Sequence, residues 1–85
     1  KHFKKEFKNF SKVARPIYES MQIGGKNILG DYAGTNYHEF WAVSVEVFFE
    51  NPIRMRHELP ALYHAMSKLL KQDPIVVVNN QRLAA

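Results

Sequence analysis

Four histidines and a few carboxylates are the groups in this 85-residue chain best suited to chemistry, and their spacing decides which chemistry is open to them. Cysteine is absent, which excludes disulfides, thiolate metal sites and thiol nucleophiles together. His57-Glu58 invites comparison with HExxH, where imidazoles at i and i+4 share a metal and the glutamate acts as base. Here Ala61 stands four residues after His57, His64 stands seven after it, and Pro60 lies between. These two histidines, with the isolated His2 and His38, read as solvent-facing polar groups.

Glu39 and Glu46 are the second constellation. Seven positions are two helical turns, so both carboxylates fall on one face of a strongly apolar segment. A carboxylate among Phe40, Trp41 and Val43 needs a cation, a set of hydrogen bonds or a metal to offset its desolvation. Pattern alone leaves two readings: Glu39 as a capping-box residue with Glu46 in a salt bridge, or a functional pair.

The elements that must position these groups are helical. Phe3, Phe7, Phe10 and Val13, followed by Ala14, Ile17 and Tyr18, recur at helical spacing and predict an amphipathic first helix. Pro16 predicts a kink or restart, and Gly24-Gly25 predicts the end. Residues 24–35 hold all four glycines and read as a loop, with Ile28, Leu29 and Tyr32 expected to pin it to the core. Asn36 followed by Glu39 has capping-box spacing. The helix beyond it is apolar nearly all round, which places it in the middle of the fold. Asn51-Pro52 opens a short helix to about Leu59, and Pro60 opens a longer one to about Gln72, stopped by Asp73-Pro74. Ile75 to Val78 reads as an extended tail on the helices or as an edge strand. The fold expected is all-α: a kinked amphipathic helix, a glycine-rich loop, a buried central helix, then a short and a longer helix.

Composition sets outer bounds. With 46% apolar and 13% aromatic residues the chain is globular rather than disordered. The uncharged run Phe40–Val45 is far too short to span a membrane. A chain of this size buries only about 60–65% of its unfolded surface, so its core alone is marginal. Charge is uneven. Residues 1–15 carry Lys1, Lys4, Lys5, Lys8, Lys12 and Arg15 against Glu6, a net +5 within an overall +4. That run has no recognisable nucleic-acid-binding motif and reads as a solvated face.

A longer pattern is more specific than any of these pieces. Asp31-Tyr32-Ala33-Gly34-Thr35-Asn36 runs into Glu39-Phe40-Trp41-Ala42-Val43, Glu46 and Phe48-Phe49, and later come Leu62-Tyr63 and Gln72-Asp73-Pro74. Over residues 28–74 this resembles the C-terminal part of the Mlc titration factor A family, glucose-regulated zinc-dependent metallopeptidases. Two substitutions depart from the family pattern: Tyr37 stands where proline is common, and Trp41 where phenylalanine is common.

The resemblance implies a role for each matched residue. Glu39 occupies the place of the glutamate that completes a zinc site begun by the two histidines of an HExxH helix. Tyr32 occupies the place of a tyrosine that faces the metal and supports the oxyanion. Glu46 matches a glutamate expected to orient a ligating histidine rather than bind metal. No HExxH occurs in the sequence. Residues 1–85 are therefore expected to be a single helical fragment, the C-terminal portion of a larger zinc peptidase domain, inactive alone and unable to hold Zn2+ tightly. The expected location is cytoplasmic. The expected partners are a peptide or protein substrate and a regulatory protein, with self-association of the chain and with neither membrane nor nucleic acid. The competing reading is a non-catalytic helical interaction module.

Overall fold

The computed structural model describes residues 2–75, and within them the chain forms four α-helices and one short 3₁₀ turn. α1 spans His2–Gln22, the 3₁₀ turn Asp31–Gly34, α2 Tyr37–Glu50, α3 Pro52–Glu58 and α4 Pro60–Leu70. The architecture is all-α, as the apolar periodicities predict.

α1 does not restart at Pro16 but continues through it. Pro16 is exposed, so its ring lies on the solvent side, where water can serve the carbonyl one turn back that loses its N–H partner. The helix then stops at the glycines by a specific pair of bonds. Gly25 N–H donates to the Ser20 carbonyl at 2.8 Å and Gly24 N–H to the Met21 carbonyl at 3.3 Å, the two bonds of a Schellman stop. Gly24 sits at φ +99°, and a Cβ on Gly25 would lie 2.7 Å from the Ser20 carbonyl oxygen. Both positions therefore require glycine.

Two prolines start the later helices. Pro52 and Pro60 each occupy a first-turn position, where a missing N–H costs nothing. Asn51 precedes Pro52 but makes no side-chain cap. α4 ends earlier than the periodicity predicts: Lys71 turns left-handed at φ 53°, its N–H bonds the Ser67 carbonyl, and Ser67 Oγ donates to the Gln72 carbonyl at 2.6 Å.

The helices pack into one core. α1 lies along α4, with Phe10 and Ala14 fully buried opposite Leu62, Met66 and Leu69. Trp41 of α2 meets Phe10 edge-on at 5.1 Å. Near the other end of α1, Tyr18 meets Tyr37 and Phe40 edge-on at 5.3 and 5.6 Å. The body measures 44 × 31 × 17 Å, two helices thick, so every helix keeps an outer face. α2 consequently buries a single line, Phe40, Ser44 and Phe48, while Ala42, Glu46, Phe49 and Glu50 face outward. The all-round apolar pattern predicts cover on every side, and among the described residues one side is open.

The chain after α4 is tied down by Tyr63. Its hydroxyl donates to Asp73 Oδ1 at 2.5 Å and accepts the Ile75 N–H at 3.4 Å. Burial, then the Asp73 hydrogen bond, push the Tyr63 phenol up to about 12. Ile75 is buried against the helices and, with Pro74, takes helical rather than extended backbone, so the expected tail or strand does not begin there; residues 76–78 lie outside the described residues.

Tyr63→Phe should lower stability by about 1 kcal/mol in neutral urea unfolding, the usual net worth of one hydrogen bond. The pH profile gives a second reading. Below pH 10 the phenol is protonated both folded and unfolded, and its contribution is intact. As pH rises the unfolded chain loses that proton first, so stability should fall until the folded phenol titrates near pH 12. The Phe variant should lack this component of the slope; an unchanged slope would mean that Tyr63 does not carry it.

Candidate functional site

The candidate site is built where the loop enters α2. Gly30 takes φ +82°, a left-handed conformation that lets the chain fold into the 3₁₀ turn. Asn27 holds the preceding bend, accepting the Leu29 N–H on its side chain at 2.9 Å and the Gly30 N–H on its carbonyl at 3.2 Å. Lys26 pairs with Asp31 at 2.9 Å on the surface. From α1, Gln22 Nε2 donates to the Gly34 carbonyl at 2.8 Å, joining the far end of the turn to the first helix. Leu29 and Ala33 are buried and anchor the loop.

Tyr32 is not among the anchors. The loop's apolar residues suggest that it packs inward with Ile28 and Leu29, but its side chain is 63% exposed. Short-range geometry explains the difference. In a tight turn Tyr32 and Ala33 point to different sides, and the small Ala33 takes the inward place where the turn packs against α2 and α1.

Asn36 then aims the helix. It is extended at φ −160°, its side chain accepts the Glu39 N–H at 2.8 Å, and its carbonyl accepts the Phe40 N–H at 3.0 Å. The capping spacing is real, but the Glu39 carboxylate has a second engagement. It stands near enough to the Tyr32 hydroxyl that hydrogen bonding to Glu39, and then the carboxylate charge, raise the Tyr32 pKa above its ordinary value of 10.0. Ionising the phenol would set two anions side by side and lose a donor. The structure thus brings together two of the residues that the sequence singles out, Tyr32 and Glu39, across the loop–helix junction.

Glu46 stands two turns farther along the outward face of α2, exposed and within about 20° of Glu39 around the helix axis. The expected salt bridge to Glu46 does not appear: the ion pairs among the described residues are Lys26–Asp31 and Arg54–Glu58. His38, His57 and His64 are exposed on separate elements. No group of three or more His, Cys, Asp or Glu side chains among the described residues could hold a metal. The arrangement offers one carboxylate donor beside one phenolic donor, open to solvent.

Sequence reasoning missed the supports rather than the pair. Gln22 and Asn27 carry the turn, and neither belongs to a pattern that would mark it. Tyr63–Asp73 joins the late Leu-Tyr and Gln-Asp-Pro pieces, whose partnership only the folded chain reveals.

A direct check is tyrosine titration followed by ring-carbon NMR. Tyr32 should titrate above the ordinary tyrosine value, Glu39→Gln should bring it down towards that value, and Glu46→Gln should leave it in place. No response to Glu39→Gln would separate the two side chains.

No curated protein and no solved structure matches the chain. The family model of the glucose-regulated metallo-peptidase M90 matches residues 1–71, which include the loop, the 3₁₀ turn and all of α2, α3 and α4. The chain belongs to the glucose-regulated metallo-peptidase M90 family.

Proposed function

We propose that this chain supplies part of the active site of a cytoplasmic zinc-dependent peptidase acting on a peptide or protein. Glu39 would be one zinc ligand, Tyr32 the oxyanion donor, and Glu46 the residue that orients a ligating histidine. The observation that carries this reading is the nearness of an exposed Tyr32 to Glu39, felt in the raised Tyr32 pKa, in a chain of a metallopeptidase family. A cap alone needs only the Asn36 side chain and the Glu39 N–H. The cap does not use the carboxylate, which leaves it available to a ligand.

The donor chemistry fits one corner of a zinc site. A half-buried carboxylate fixed at the first turn of a helix is an ordinary zinc donor, and catalytic zinc takes three protein donors and leaves one place open. The remaining donors would come from outside residues 1–85, because no HExxH occurs here and no three-donor group exists among the described residues. Zinc, when bound, would lower the pKa of its water and polarise the scissile carbonyl. Tyr32 would add a hydrogen bond where negative charge develops on the substrate oxygen. Its raised pKa suits that task, since the phenol keeps its proton, and so remains a donor, into alkaline solution.

Two variants separate these roles in the assembled peptidase. Tyr32→Phe should reduce kcat by about 10²–10³ with little change in KM and with metal content intact. Glu39→Gln should lower metal content as well as activity, because the amide keeps the volume and loses the charge. Full activity and full metal content in both variants would leave the chain as a non-catalytic helical module.

The 85-residue chain by itself should show no tight one-to-one zinc binding in isothermal titration, since the site has one donor where three are needed. Tight binding would place a metal site at His38, His57 or His64 instead.

A further inference from the structure

α1 carries a feature for which the peptidase reading has no use. Lys4, Lys5, Lys8, Lys12 and Arg15 are all exposed. At 100° per residue they fall within an arc of about 100°, directly opposite the buried side of Phe10 and Ala14. The row is about 16 Å long. Lys4–Lys8 and Lys8–Lys12 are i,i+4 neighbours, and Lys5–Lys8 and Lys12–Arg15 are i,i+3 neighbours, so every close contact along the row sets like charges together. Surface helices gain stability by placing Glu against Lys at these spacings, and like pairs cost stability.

No ion pair among the described residues relieves the repulsion. None of the five cations belongs to an ion pair among the described residues. Glu6, the one acid of residues 1–15, lies off the row: its Oε2 is buried with no hydrogen-bond partner, in the cleft between α1 and α4 that Lys12 and Lys68 also line. Glu19 stands four residues after Arg15 on the same side, at one end of the row, and makes no ion pair with it. A local rule broken with no compensation inside the fold marks a site that serves something outside it.

From this we infer that the outer face of α1 binds the phosphate backbone of a double-stranded nucleic acid without reading its sequence. Three observations select that partner over other polyanions. The apolar side of α1 is spent on the core, so the helix cannot sink into an anionic bilayer as an interfacial helix does. Protein–protein interfaces are poor in lysine and rely on aromatic and arginine anchors, whereas this row is four lysines and one arginine with only Ser11 interspersed. No aromatic ring lies within the row to stack on unpaired bases, which favours a duplex over a single strand. Lysines act as point charges against phosphates and read no base edges.

The test is fluorescence anisotropy of the full chain with labelled duplex DNA of two unrelated sequences, titrated from 50 to 200 mM salt. Both duplexes should bind alike, and log K should fall against log salt with a slope of about −4, a loss of about 10²-fold across that range. Lys8→Gln with Lys12→Gln should reduce the slope by about two. The same double variant should melt at a higher temperature, because it removes like-charge neighbours; a solvated face with no ligand would show the second effect without the first. Circular dichroism checks the fold, and Arg15→Gln, which should reduce the slope by about one, gives a second variant in the same row. No binding at 50 mM salt, unchanged binding by the variants, or tighter binding to polyglutamate or to anionic vesicles would each overturn the inference.

Discussion

The hydrogen bond from the Glu39 N–H to the Asn36 side chain is the hinge of this structure. It ends an irregular stretch, sets the direction in which α2 leaves it, and fixes the first turn of that helix. Everything of interest at the site inherits its position from this bond. The Glu39 backbone is held by the cap, so its carboxylate has a restricted reach. The 3₁₀ turn is held from the other side by Gln22 on the Gly34 carbonyl, so Tyr32 is restricted as well. Two side chains, each constrained from its own element, meet without either being buried.

The thin body explains why that meeting stays open. Two layers of helix can cover one side of each helix and no more. α2 is apolar enough for a position with neighbours all round, yet its outward line of Ala42, Glu46, Phe49 and Glu50 is exposed among the described residues. An exposed Phe49 is unremarkable singly. With Ala42 on the same side as Glu46, it forms a surface where an apolar ring and acid groups lie within one turn of each other.

Legibility in the sequence followed the range of the interaction. The cap at Asn36, the proline starts at 52 and 60 and the stop at Gly24-Gly25 rest on residues within a few positions of one another, and all four could be read directly. Pro16 left a kink or a restart open, and there is no restart because the ring faces solvent, which packing rather than neighbouring sequence decides. Tyr32 misled as a loop anchor for the same reason: apolar character alone does not say whether it or Ala33 takes the inward place. The nearness of Tyr32 to Glu39 could not be derived from a spacing of seven across a turn. It entered through the family resemblance, and the turn geometry then supplied its physical form.

Tyr63 bears on where a folding unit of this kind can be cut. The family match ends at residue 71, one position beyond α4, and that would be the natural place to trim an expression boundary. Trimming there would remove Asp73, the acceptor for a phenol at the bottom of the core, together with Ile75, which covers it. The exposed hydrophobic pocket and the unmatched hydroxyl would together make the shortened chain prone to proteolysis and clumping. The sequence that identifies the family is thus shorter than the sequence that closes the core. Boundaries drawn from the first would have to be moved past Ile75 to satisfy the second.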